Sequence, residues 1–86
     1  MTPNLRLRVM VQDAWDEVPL DLPADTSLAE LKHLALKATR VIRDPDEYLL
    51  KFRGAELYDE SRSLADAGLV ANGAVMVLPR RRRPVR

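Results

Sequence analysis

The sequence predicts a single α+β domain, a mixed sheet with one helix lying across one face. Two closely spaced runs of alternating apolar residues near the N-terminus point to a hairpin. A capped amphipathic segment follows, and a last alternating run lies after a turn signal near the C-terminus. With 86 residues the chain is enough for one domain and too short for two.

In the first run, Leu5, Leu7, Val9 and Val11 alternate with Arg6, Arg8, Met10 and Gln12, the period of a strand with one buried face. Polar residues from Asp13 to Glu17 interrupt it, with Trp15 at the expected tip. Val18, Leu20 and Leu22 then resume the alternation, which completes the hairpin. Pro19 lacks an N–H for a ladder bond, so the second strand is expected at a sheet edge.

Ser27 and Glu30 have the spacing of a capping box. Leu28, Leu31, Leu34, Ala35, Ala38 and Ile42 fall within one arc at helical period, predicting a helix of about 13–15 residues. Lys32, His33, Lys37 and Arg40 lie mostly off that arc, and Leu36 is expected to be partly exposed. Asp44-Pro45-Asp46 ends the helical signal, because the residue before a proline is pushed out of the α region.

Tyr48 to Phe52 reads as a third strand, with Leu50 inward. Gly54 marks a tight turn into a brief fourth strand, Glu56 to Tyr58. Leu64, Ala67 and Leu69 suggest one helical or 3₁₀ turn ended by Gly68, after which Asn72-Gly73 signals another turn. Val75 and Val77 alternate in the last strand, which stops at Pro79. The first and last strands are the most apolar, which places them side by side at the centre of the sheet.

Composition narrows the chemistry. At 47% hydrophobic and 31% charged, the chain is ordinary for a soluble globular domain. It has no cysteine, which removes disulfides, thiolate metal sites and thiol catalysis together. Met1-Thr2-Pro3-Asn4 lacks the pattern of a secretory signal, and no apolar run approaches the roughly 20 residues that cross a bilayer. A cytoplasmic protein is expected. The net charge of +1 is unevenly spread: residues 1–79 hold nine basic and thirteen acidic groups, a charge of −4, while the rest carry +5. The reading is a domain at 1–79 followed by an arginine-rich tail at 80–86.

Several stretches resemble the ubiquitin-like β-grasp family. Asp44-Pro45-Asp46-Glu47 followed by Tyr48-Leu49-Leu50-Lys51-Phe52-Arg53-Gly54-Ala55-Glu56-Leu57 is similar to that family's proline turn, third strand and F-x-G-x-x-L hairpin. Ser63-Leu64-Ala65-Asp66-Ala67-Gly68-Leu69 looks like its T-L-x-D-x-x-I segment. Asn72 to Leu78 resembles its final turn and strand. The resemblance covers about residues 5 to 79 and implies a ββαββ(3₁₀)β mixed sheet. Conjugated members end in exposed glycines that thread an enzyme channel. Here Pro79-Arg80-Arg81-Arg82-Arg83-Pro84-Val85-Arg86 follows the last strand, with no glycine after Gly73. Ala55 also stands where a commonly linked lysine is found in the family. A non-conjugating member of bacterial type is expected, since bacterial relatives tied to secretion systems also lack the glycine pair. A modifier with unusual C-terminal maturation is the alternative.

The resemblance implies a partner-binding face on the outer side of the sheet, at Trp15, Lys51, Met76 and Leu78. Trp and Met are residue types that interfaces use well, although Lys51 puts a charge among them. Trp15 has a second reading, as a cover folded back over the sheet rim. For Arg80, Arg81, Arg82 and Arg83, a solvated tail or one docked on the acidic body is the plain expectation. Phosphate contact would need only charge, but no aromatic lies among the arginines to stack a base. Nucleic acid is therefore not the expected partner, and membrane contact through the tail ranks behind the plain readings. The expectation is a monomer that binds an unidentified protein.

Catalysis is not expected. His33 is the only histidine and sits on the helix's polar side, with no second ligand to complete a zinc site. Asp16-Glu17, Asp46-Glu47 and Asp59-Glu60 read as loop carboxylates without a pocket to shift them. Gly54, Gly68 and Gly73 lie too far apart for a phosphate-cradling loop. No cofactor or metal is called for.

Overall fold

Alternation in the first strand sets the frame of the sheet. The computed structural model describes residues 3–80. Within them β1 (Asn4–Val11) buries Leu7, Val9 and Val11 on one side and leaves Arg6 and Arg8 exposed on the other. A 3₁₀ turn at Gln12–Ala14 leads into β2 (Asp16–Pro23), which pairs antiparallel with β1. Helix α1 (Leu28–Ala38) follows, then a second 3₁₀ turn at Pro45–Glu47. Strands β3 (Tyr48–Phe52), β4 (Ala55–Glu56) and β5 (Ala74–Pro79) complete the five-stranded sheet, ordered β2-β1-β5-β3-β4.

The most apolar strands meet at the centre, as their composition requires. β1 and β5 run parallel, from Arg8 opposite Ala74 to Val11 opposite Val77. β2 is an edge strand, where Pro19 leaves no ladder bond unmade. The inner face carries Tyr48, Leu50, Phe52, Val75 and Val77 together with the β1 residues, all buried. Leu28, Leu31, Ala35 and Leu36 close over them from α1, and Leu64 and Leu69 fill the remaining side.

The helix departs from expectation in length and in facing. Ser27 caps it, its Oγ accepting the Glu30 N–H at 3.1 Å. It ends after eleven residues, not the expected 13–15. Arg40 takes φ 61°. Its N–H donates to Lys37 O, and that of Val41 to Leu36 O, the paired bonds of a Schellman cap. Glycine normally holds that left-handed position, so its usual marker is missing from the sequence. Beyond the cap, Ile42 is 97% exposed instead of extending the apolar stripe.

The buried stripe is also rotated toward Lys32 and Leu36, while Ala38 is exposed and Leu34 half-buried. The cause is polar. The Lys32 ammonium donates to Tyr48 O at 3.0 Å and meets Glu60 Oε1 at 2.7 Å. A lysine whose ammonium is paired with a carbonyl and a carboxylate can lie inside the fold. Leu36, one turn further along the same face, is buried with it.

Residues 57–73 wind around the end of the sheet as hydrogen-bonded loop. Leu28 N donates to Arg62 O, and Leu64 N to Thr26 O, which stitches this loop to the start of α1. The helical turn expected near Leu64 is a run of turns closed by Ala67 N to Ser63 O and Gly68 N to Ala65 O. The fourth strand is shorter and earlier than expected, and Tyr58 is 82% exposed beyond it.

Lys32→Met should lower stability by about 2 kcal/mol, since it leaves Tyr48 O and Glu60 without their donor. For a domain of this size that is a fall in Tm of roughly 8–16 °C. Adding Glu60→Gln should cost less than the sum of the single variants, as measured by chemical denaturation. Tyr48 donates its hydroxyl to Asp13 Oδ2 at 2.6 Å. Burial, and then that bond and the Asp13 charge, raise the phenol above its usual 10. The stability it contributes is therefore complete below pH 10 and is lost as pH rises through the raised value. Tyr48→Phe should be about 1 kcal/mol less stable near neutrality. That gap should narrow in denaturation curves taken above pH 10.

Candidate functional site

The side of the sheet away from α1 has no element packed on it among the described residues. Strand register places its side chains in rows. One row crosses all five strands: Glu17 on β2, Met10 on β1, Met76 on β5, Lys51 on β3 and Glu56 on β4. A second pairs Leu78 with Leu49, and a third runs Pro19, Arg8, Ala74. Met76 is 41% exposed, while Met10, Leu49, Lys51 and Leu78 are half-buried.

Three of the residues expected on this face are thus brought together. Lys51 and Met76 are direct cross-strand neighbours, and Leu78 follows Met76 on the same side of β5. Met10 and Leu49 join them, which the sequence reading did not single out. Met10 was legible in principle, as an even-numbered β1 residue once β1 and β5 are taken as neighbours.

Trp15 stands apart from that cluster. It occupies the hairpin tip with φ 50°, closing the 3₁₀ turn by donating its N–H to Gln12 O at 3.1 Å. Its side chain is 84% exposed, so it does not cover the sheet rim. Asp13 is held beneath it by the Tyr48 hydroxyl, which ties the tip to the start of β3.

An open hollow of about 440 Å³ lies at the other end of the face, between the β3–β4 turn and the entry to β5. Lys51, Phe52, Arg53, Gly73, Ala74 and Met76 line it. Arg53 and Gly54 both take positive φ, 55° and 81°, as a two-residue hairpin turn requires. That turn sets the Arg53 guanidinium 5.0 Å from the Phe52 ring centroid, a cation–π contact. Gly73 is needed for space: a Cβ there would lie 2.9 Å from the Phe52 ring. Asn72, not the glycine, carries the positive φ of that turn, 65°.

Arg80 is docked on the body. Its N–H donates to Glu47 O at 2.7 Å and its Nε to Asp46 O at 2.8 Å. Its guanidinium lies 3.8 Å from Glu56 and 3.9 Å from Glu60, the same carboxylate that holds Lys32. Arg81, Arg82 and Arg83 lie outside the described residues. His33 is exposed on α1. Among the described residues no three His, Cys, Asp or Glu side chains are grouped to hold a metal ion, and no helix is long and apolar enough to cross a membrane.

The sequence matches no protein-family model and no curated protein. Comparison of the fold gives a different result. A ubiquitin-like domain from tubulin-binding cofactor B superposes with a TM-score of 0.77 at 21% identity, covering 92% of both chains. The C-terminal ubiquitin-like domain of mouse tubulin-specific chaperone e gives 0.77 at 16% identity, over 98% of this chain and 94% of that one. Ubiquitin from Caldiarchaeum subterraneum gives 0.77 at 11% identity, over 92% and 96%. With its parallel central pair, its single helix across one face and its 3₁₀ turns, this chain has the ubiquitin-like β-grasp fold.

Proposed function

We propose that this chain is a non-conjugating ubiquitin-like interaction domain that docks a partner protein through its outer sheet face. The domain is residues 1–79, followed by a basic tail at 80–86. Trp15, Lys51, Met76 and Leu78 are the residues assigned to the contact, and Met10 and Leu49 extend it. The observation that carries the reading is the row Met10–Met76–Lys51 beside Leu78 and Leu49, an accessible apolar strip on a face that, among the described residues, no other element packs against. Its aliphatic side chains supply area, and the charges at its edges supply register and selectivity.

Structural neighbours support a binding role in a coarse way. Two of them are ubiquitin-like domains of proteins named for acting on tubulin, a cofactor and a chaperone. A non-conjugating role rests on the residues after β5. Where conjugated members carry glycines, this chain has Pro79, a run of arginines and Pro84. Proline and arginine are bulkier than glycine and proline fixes φ, so this segment suits a narrow channel poorly. Catalysis has no part in this reading, and a bacterial, cytoplasmic setting belongs to it as an expectation of composition and resemblance.

Affinity purification of the tagged chain from its own organism, read by mass spectrometry, tests the assignment. Wild type should capture a defined protein. Trp15→Ala and Met76→Asp should each lose it by ten-fold or more while Tm stays within about 2 °C, because exposed positions contribute little to stability. Capture retained by both variants would remove this face from the proposal. Covalent adducts through the chain's own terminus would favour a modifier instead.

A further inference from the structure

We propose that the chain also binds a second copy of itself head to tail, the Trp15 tip of one copy seated in the cationic hollow of the next. The two surfaces are complementary in charge. The tip presents a single exposed indole flanked in sequence by Asp13, Asp16 and Glu17. The hollow presents Lys51 and Arg53 around an apolar wall of Phe52, Ala74 and Met76. Among the described residues, Asp16, Glu17, Lys51 and Arg53 form no ion pair within one chain. Their charges are free to meet across an interface.

Size fits as well. About 440 Å³ lies within the range of pockets that take a compact organic group, and one indole needs less. Met76 offers a thioether to the ring, and Lys51 and Arg53 can lie against its face or pair with the flanking carboxylates. The hollow forms largely through small residues: Ala74 and Gly73 leave the space that larger side chains on β5 would fill.

Topology makes the contact intermolecular. The hollow opens where β3 leaves the sheet and β5 enters it, at Phe52–Gly54 and Gly73–Ala74. The tip projects where β1 leaves and β2 enters. Because β1 and β5 are parallel and β3 runs against them, the hollow lies at the start of β5, beside Arg8 in mid-β1, while the tip lies beyond the end of β1. Trp15 does not line its own chain's hollow. Two different patches meeting in this way give a heterologous contact, which propagates as an open chain or closes as a ring and does not form a two-fold dimer. The arginine-rich segment after Pro79 is a poor occupant, since its charge has the same sign as Lys51 and Arg53. The contact goes beyond partner docking and requires no other protein.

Sedimentation velocity and fluorescence of the purified full chain test it, because Trp15 is the only tryptophan. An interface this small is weak, so the series should extend to roughly millimolar protein. Wild type should show a sedimentation coefficient rising with concentration and a parallel blue shift of Trp15 emission. Raising salt to about 1 M should weaken association about ten-fold, as the charged rim is screened. Trp15→Ala and the double variant Lys51→Glu/Arg53→Glu should each stay monomeric alone. Mixed together they should form a one-to-one dimer and nothing larger, since one retains the hollow and the other the tip. Met76→Glu serves as a second hollow variant if the double substitution does not fold. A wild type that stays monomeric throughout, a wild type that stops at a symmetric dimer, or a mixture that stays monomeric would each overturn the proposal. These readouts contain no other protein, so their failure is separate from failure of partner capture.

Discussion

The parallel pairing of β1 with β5 is the constraint on which the rest of the molecule depends. Side chains alternate along a strand, so a slip of one residue would exchange the two faces of the sheet. In the observed register Val9 meets Val75 and Val11 meets Val77 on the inside, while Met10 meets Met76 on the outside. That single alignment builds the core and the outer apolar strip at once. It also puts the hairpin tip beyond the end of β1 and the β3–β4 turn beside the start of β5.

A buried cation secures the other side of the fold. Lys32 reaches from α1 to the carbonyl of Tyr48 at the start of β3 and to Glu60 in the long loop. Arg80 approaches the same Glu60 from beyond β5 and holds the carbonyls of Asp46 and Glu47. Helix, strand, loop and the end of the last strand thus converge on one carboxylate. A lysine alone at that position would be costly to desolvate; surrounded by oxygen acceptors it fixes the helix in one rotational setting.

Charge is distributed to match this geometry. The body is acidic overall, and the outer face carries Arg6, Arg8, Lys51 and Arg53 together with Glu17 and Glu56 around its apolar strip, while Asp13 and Asp16 flank Trp15 in sequence at the hairpin tip. An acidic tip and a hollow lined by Lys51 and Arg53 suit contacts with a defined direction. Both functional readings, partner docking and head-to-tail association, draw on that polarity, and they differ in which molecule supplies the other half.

The residues themselves determined the element order, the alternation of β1, β2, β3 and β5, the edge position of Pro19, the Ser27 cap and the turn at Gly54, because these follow from local periodicity and backbone sterics. Lys51, Met76 and Leu78 were legible as one face for the same reason. Tertiary structure alone decided that Lys32 is buried and Leu36 with it, because the acceptors that make this possible come from Tyr48 and Glu60, far along the chain. It decided the early end of α1 through an arginine in a position where sequence rules look for glycine. It also decided that Trp15 projects while Met10 and Leu49 join the strip, and that Arg80 is docked. The settings of Lys32, Leu36 and Arg80 depend on acceptors from distant parts of the chain, which no local pattern of residues encodes.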